Sequence, residues 1–339
     1  MANRLIPALL ALALAGPAFS QTEPPPDTPP LAVAADAASD EKVVVVPGQR
    51  PGPGLWKISR GDHVLWLFGT YGPLPKNMVW RSHQVEAVLA QSQEVIAPPS
   101  ASPKIGVFKA LSLLPHAFGM MNNPDGATLK ETLPADVYAR WEAMRKEYLG
   151  GKDFERERPL FVAERLYGAG LARAGLTTKN EVSNAVSAMV KASKVKVTDV
   201  HVQFPVEDPA EVMKMFKRSP MDDAACLSKT MDRLESDIAG MKERANAWSK
   251  GDLTEIRKLN FADREGACRD AMMRSPAVRK ALKVDEIDAE LKLAWLAAAE
   301  KALAANASTF AVVSIKEILN PSGVVAALQA KGYQVESPD

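Results

Sequence analysis

The sequence predicts an α/β (α+β) fold: a central mixed β-sheet formed from N- and C-terminal segments, with a large helical insertion. Three observations carry this. Residues 55–70, LWKISRGDHVLWLFGT, alternate like two strands around a turn at Arg60-Gly61-Asp62. Residues 309–315, TFAVVSI, are a near-continuous apolar run, as expected of a strand covered on both faces. Between these ends, apolar residues recur mainly at helical spacing.

The elements follow in chain order. Residues 1–20 read as a secretory signal peptide: Arg4, an apolar run from Leu5, then Ala18-Phe19-Ser20 before Gln21. The run falls short of the roughly 20 residues that span a bilayer. An uncleaved anchor is the alternative. Residues 21–53 are rich in Pro, Ala and acids and lack any period, so they are expected to be a disordered tether. The VVVV of 43–46 would add an edge strand. Residues 54–337 form the single domain.

Within that domain, Trp56 and Ile58 share one face of the first strand. Arg-Gly-Asp at 60–62 is read as a plain turn, not an adhesion motif. The second strand ends in Gly69-Thr70 and runs into Gly72-Pro73. SHQVEAVLAQSQ places Val85, Val88 and Leu89 on one helical side, and EVIAPP is a strand stopped by Pro98-Pro99. Val137, Trp141, Met144 and Tyr148 make a helical stripe closed by Gly150-Gly151. GAGLARAG lies inside a helical pattern, so its glycines are not a phosphate loop. KVKVTDVHVQF is predicted as one strand. Residues 207–306 read almost wholly as helix, with Leu234, Ile238, Met241 and Ala245 on one stripe. The chain then closes as β-α-β: STFAVVSIKEI, NPSGVVAALQAKG and YQVESP.

Charge and composition exclude some functions. With 42 basic and 41 acidic residues and no basic block, a nucleic-acid partner is not expected. No Gly-x-Ser-x-Gly elbow is present. No segment after the leader is long and apolar enough to span a membrane, so a periplasmic or secreted location is expected. Cys226 and Cys268 are the two cysteines. In an oxidising compartment an even count favours one disulfide between two helices, worth roughly 3–4 kcal/mol by loop closure. Two buried free thiols are the alternative. Histidines occur at 63, 83, 116 and 201, with no His-x-x-x-His pair. His63 is expected to be exposed. His201, in a strand near Asp199, is the possible residual polar site.

GLWKISRGDHVLWLFGTYGPLP with VWRSHQVEAVLAQSQEVI resembles the opening of the TraB/GumN family, relatives of the TIKI metalloproteases. STFAVVSIKEILNPSGVVAALQAKGYQVE resembles its closing segment, and ERANAWSKGDLTEIRKL its helical middle. The resemblance covers residues 54–337. It implies a divalent-metal hydrolytic site: a Gly-Thr-x-His turn, a glutamate after the first helix's strand, a Gly-x-Gly-His strand end, and an Arg-Asn pair before a helical tryptophan. Imidazoles from both halves of such a chain would hold the metal, and a carboxylate would ligate it or act as base.

Here the pattern departs at its chemical positions. Gly69 and Thr70 match, but Gly72 stands at the first histidine. Ala97 replaces the glutamate. Ser314-Ile315-Lys316-Glu317 replaces Gly-x-Gly-His, and Leu291-Lys292 stands at the Arg-Asn pair before Trp295. His201 corresponds to a further glutamate. Lys316 and Glu317 either bind a polar ligand or pair with each other. The expectation is a degenerate site without catalytic residues, metal or cofactor, in a protein binding a peptide, protein or glycan of the envelope. The alternative is a hydrolase with rearranged divalent-metal ligands or a metal-free site.

Overall fold

The computed structural model describes residues 53–78, 80–179, 181–218, 223–257, 268 and 283–338. The signal peptide, almost all of the tether, the strand expected at 43–46 and the helix expected around Cys268 lie outside these residues.

Ten strands are described: β1 (Leu55–Arg60), β2 (His63–Thr70), β3 (Leu74–Pro75), β4 (Glu94–Ile96), β5 (Ser100–Lys104), β6 (Leu176–Thr177), β7 (Lys196–Thr198), β8 (His201–Pro205), β9 (Ser308–Ser314) and β10 (Gln334–Glu336). The helices are α1 (His83–Gln91), α2 (Val107–Ser112), α3 (Leu114–Ala117), α4 (Leu129–Thr132), α5 (Ala135–Leu149), α6 (Pro159–Arg173) and α7 (Glu181–Ser193). They continue with α8 (Pro209–Arg218), α9 (Asp223–Ser236), α10 (Ile238–Lys250), α11 (Leu253–Arg257), α12 (Val284–Ala305), α13 (Ile315–Leu319) and α14 (Val324–Ala330).

The main sheet has the order β10-β1-β2-β9-β4-β7. It is mixed: β1 runs antiparallel to β2 and β10, while β2, β9, β4 and β7 are parallel neighbours. The two chain ends thus build one sheet, as the sequence predicts. In β9, Thr309 to Val313 are all buried. Five consecutive buried residues require cover on both faces, and α1, α12 and α13 all pack on this strand. Phe68 sits at the centre, with the rings of Trp80, Trp248 and Phe310 at 5.9, 6.1 and 6.3 Å between centroids.

The helical insertion has its own core. Leu129, Trp141, Met144, Leu166, Leu227, Met231 and Met241 belong to one buried cluster. The Cys226 and Cys268 sulfurs lie 2.09 Å apart within it, at bonding distance. Arg158 and Asp223 are each 2% exposed and pair at 3.4 Å. Burial pushes the Arg158 pKa down, against the opposing pull of Asp223. The Arg158 guanidinium also donates to the Phe216 carbonyl at 2.7 Å.

Three expectations are corrected. KVKVTDVHVQF is not one strand: it forms β7 in the main sheet and β8 in a separate two-stranded sheet with β5. The apolar parity changes between Val197 and Val200, and a single strand has one parity. Val197 is accordingly exposed while Val202 and Phe204 are buried. Secondly, Pro98-Pro99 ends β4 but does not end extended chain. β5 follows at once and pairs in parallel with β8, with Pro103 inside it. A two-stranded sheet leaves one side of each strand unpaired, where proline is tolerated. Thirdly, His63 is half-buried, its Nδ1 2.7 Å from the Leu303 carbonyl.

Candidate functional site

The parallel strands β2, β9, β4 and β7 end on one edge of the sheet, where ligands of α/β sheets gather. Thr70 and Ser314 are register partners there. The Thr70 hydroxyl donates to the Val313 carbonyl at 3.3 Å, tying the two strand ends together.

Close packing explains the glycine at 69. A Cβ there would lie 3.0 Å from Ile318 Cδ1 and 3.3 Å from both Ile315 Cβ and the Trp56 ring. Helix α13 therefore approaches the β2 backbone only because position 69 has no side chain. The carbonyl of Gly69 accepts from the buried Trp248 indole at 2.8 Å, so α10 grips the same corner. Tyr71 follows, buried, and its hydroxyl accepts from Arg244 Nε at 3.4 Å. Burial raises the Tyr71 pKa, while Arg244 pulls the other way. Arg244 also pairs with Asp237, which Arg233 approaches at 3.3 Å.

Gly72 differs. It is exposed, and a Cβ built there meets nothing within 4 Å. Its peptide bond to Pro73 is cis. Sterics at this position leave room for a side chain.

On β9, Ser314 caps α13: its hydroxyl accepts from the Glu317 backbone N–H at 3.2 Å. Lys316 and Glu317, half-exposed, occupy the first turn of that helix. Ala97, just past β4, donates its N–H to the Thr198 carbonyl at 3.0 Å. Leu291 packs beside the apolar cluster of Phe204, Val206, Val212 and Ile287. Its neighbour Lys292 donates to the Ser322 carbonyl. One stretch of α12 thus touches the small sheet on one side and the loop after α13 on the other. Trp295, one turn on, is fully buried.

The small sheet continues from β4 and β7 and carries His201. Its two ring nitrogens lie 3.0 Å from the Ser100 hydroxyl and 2.9 Å from the Ser102 hydroxyl. These serines are at i and i+2 on β5, so all three side chains share a face. Asp199, exposed, precedes that face. Sequence reasoning singled out His201 but missed both serines, because β5 was hidden behind Pro98-Pro99.

A second polar centre was also missed. Glu94 is buried at the start of β4. It accepts from Lys196 at 3.0 Å, from Asn306 at 2.8 Å and from the Thr198 hydroxyl. Burial raises its pKa, but these donors outweigh it and hold the carboxyl below the ordinary glutamate range. The sequence signal was a lone acid opening an apolar strand.

The structure therefore brings Gly69, Thr70, Ser314, Lys316 and Glu317 to one strand-end corner. His201 and Asp199 lie on the adjoining small sheet. Among the described residues, no group of three or more His, Cys, Asp or Glu side chains is placed to hold a metal ion. No helix among them is long and apolar enough to cross a membrane.

No curated protein and no solved structure matches this chain. Residues 54–337 match the TraB/PrgY/gumN family, over the span that carries the hairpin, the helical insertion and the closing β-α-β. The chain belongs to the TraB/PrgY/gumN family.

Proposed function

We propose that this protein is an exported, non-catalytic member of its family, a pseudoenzyme that binds or scaffolds a peptide, protein or glycan of the cell envelope at the inherited strand-end corner. One observation carries the reading. The positions where the family resemblance asks for metal donors hold side chains with other work or none. Gly72 has no side chain. Ala97 contributes only its backbone, to Thr198. Leu291 is apolar packing, and the Lys292 ammonium is committed to the Ser322 carbonyl. Of these positions Glu317 keeps a carboxylate, and His201 has both ring nitrogens on serine hydroxyls, whereas a zinc site takes three or four protein ligands. These residues do not fit a divalent metal.

Elemental analysis of the purified chain, with thermal unfolding in added Zn²⁺, Mn²⁺ or Mg²⁺, tests the reading. Substoichiometric metal and an unmoved Tm are expected. One equivalent of bound metal with a raised Tm would overturn it.

A metal-free hydrolase is the second reading, favoured by the Ser100-His201-Ser102 contact. A neutral imidazole accepts from one hydroxyl and donates to the other, so one serine is hydrogen-bonded to a base. Labelling by a fluorophosphonate probe at Ser100 or Ser102, lost in His201→Ala, would favour this reading. No labelling would leave the binding function.

A further inference from the structure

Most of the exposed large apolar side chains among the described residues fall in one short segment. They are Val107, Phe108, Leu111, Leu114 and Phe118, with the phenylalanines 89% and 87% exposed. Helices α2 and α3 meet at Leu113, whose backbone is also right-handed helical. The spacing i, i+1, i+4, i+7 and i+11 puts the five on one stripe. The opposite side is the packed one. Ala110 and Leu113 are buried, Lys109 donates to the Glu207 carbonyl at 2.9 Å, and α3 rests on α8. The stripe is thus the face that the fold turns outward.

Charge selects the occupant. From Val95 to Pro124 the chain has no acidic residue; its ionisable side chains are Lys104, Lys109 and His116. The later turns of α8 add Lys214, Lys217 and Arg218. Three acids stand near the start of α8: Glu207, Asp208 and Glu211. Glu211 pairs with Lys214 at 3.5 Å, and Asp208 caps the helix by accepting from the Glu211 backbone N–H at 3.0 Å. The phenylalanines stand clear of the surface on a segment whose own ionisable groups are only basic, with Lys104 exposed just before it, and that is the composition of an interfacial membrane contact. A protein groove would accept the apolar stripe equally well; the acid-free chain that carries it favours an anionic surface.

We infer that residues 107–118 dock on an anionic phospholipid surface, with Phe108 and Phe118 entering the headgroup boundary and Lys104 facing the phosphates. The segment shares no residue with the strand-end corner. Flotation with vesicles of equal parts phosphatidylglycerol and phosphatidylethanolamine tests it. The chain beginning at Gln21 is compared with its Phe108→Ser/Phe118→Ser variant, so any contribution of the tether is common to both. The wild type should float, and the variant should bind roughly tenfold more weakly. Lys104→Glu should weaken binding less, and phosphatidylcholine vesicles should capture little. Thermal unfolding of the double variant should match wild type, which separates lost docking from lost folding. A wild type that does not float, or a double variant that floats equally well, overturns the inference. If the wild type fails to float but sediments as a dimer that the variant abolishes, a second copy covers the stripe instead.

Discussion

The sheet and the helical insertion hold themselves together by different means. The sheet joins residues from opposite ends of the chain: Trp66 pairs with Phe310 and Lys57 with Glu336. Its core is aromatic and aliphatic, and its buried acid, Glu94, is satisfied by three donors. The helical lobe draws its core mainly from residues 129–241, and adds a covalent link and a buried ion pair. A core assembled from distant strands is closed by the sheet's own ladder. A cluster of short helices has no such ladder and relies on side-chain ties. Each region is therefore vulnerable at a different kind of contact.

Loss of the lobe's buried ion pair should cost most. Asp223→Ala leaves the Arg158 guanidinium buried without its carboxylate, and should cost about 3–5 kcal/mol. The double change Arg158→Met with Asp223→Leu should recover most of that loss, because apolar groups of similar size need no partner. Denaturant unfolding measures both. If Asp223→Ala proved neutral, the pair would not be a tie of the lobe.

Next comes the disulfide. A count under denaturing, non-reducing conditions should find no free thiol, and two free thiols would refute the bond. Cys226→Ser with Cys268→Ser opens a loop of sequence separation 42, which corresponds to roughly 3–4 kcal/mol. Hydrogen exchange should speed up in α6 and α9 more than in β9.

Trp248→Phe tests the seam between the regions. It removes the indole donor from the Gly69 carbonyl while keeping most of the ring. A loss of about 2 kcal/mol is expected, with faster exchange at the β2 end as well as in α10. Loosening confined to α10 would show that the corner does not depend on the insertion.

The smallest effect is confined to the sheet and to acid. Glu94 has a folded pKa below its unfolded value. Its contribution is therefore fully present above the ordinary glutamate range and is lost as pH falls through the folded value. Glu94→Gln should flatten that part of the stability-pH profile. It should leave the effect of Asp223→Ala unchanged, since distant sites add.

The legibility of the molecule follows the same division. The hairpin was readable because alternation and a Gly61-Asp62 turn are local signals. β9 was readable as central because an unbroken apolar run has few other uses. β5 was not readable: SASPK has little strand propensity, and pairing with His201–Pro205 holds it extended. The split of KVKVTDVHVQF was visible in principle, through the change of apolar parity at Asp199. The strand-end corner was legible through Gly69-Thr70 and the Ser314 segment. The serines against His201 were not, because they belong to a strand hidden behind two prolines.

The hairpin, the central strand, the closing β-α-β, the family and the two cysteines that could pair were all fixed by local sequence. Only the tertiary structure decided what the remaining residues do. It packed Leu291 beside an apolar cluster, set Lys292 on Ser322, ringed Glu94 with donors and turned Phe108 and Phe118 outward. Those outcomes depend on which surfaces meet across long sequence separations, and local pattern carries no record of that meeting.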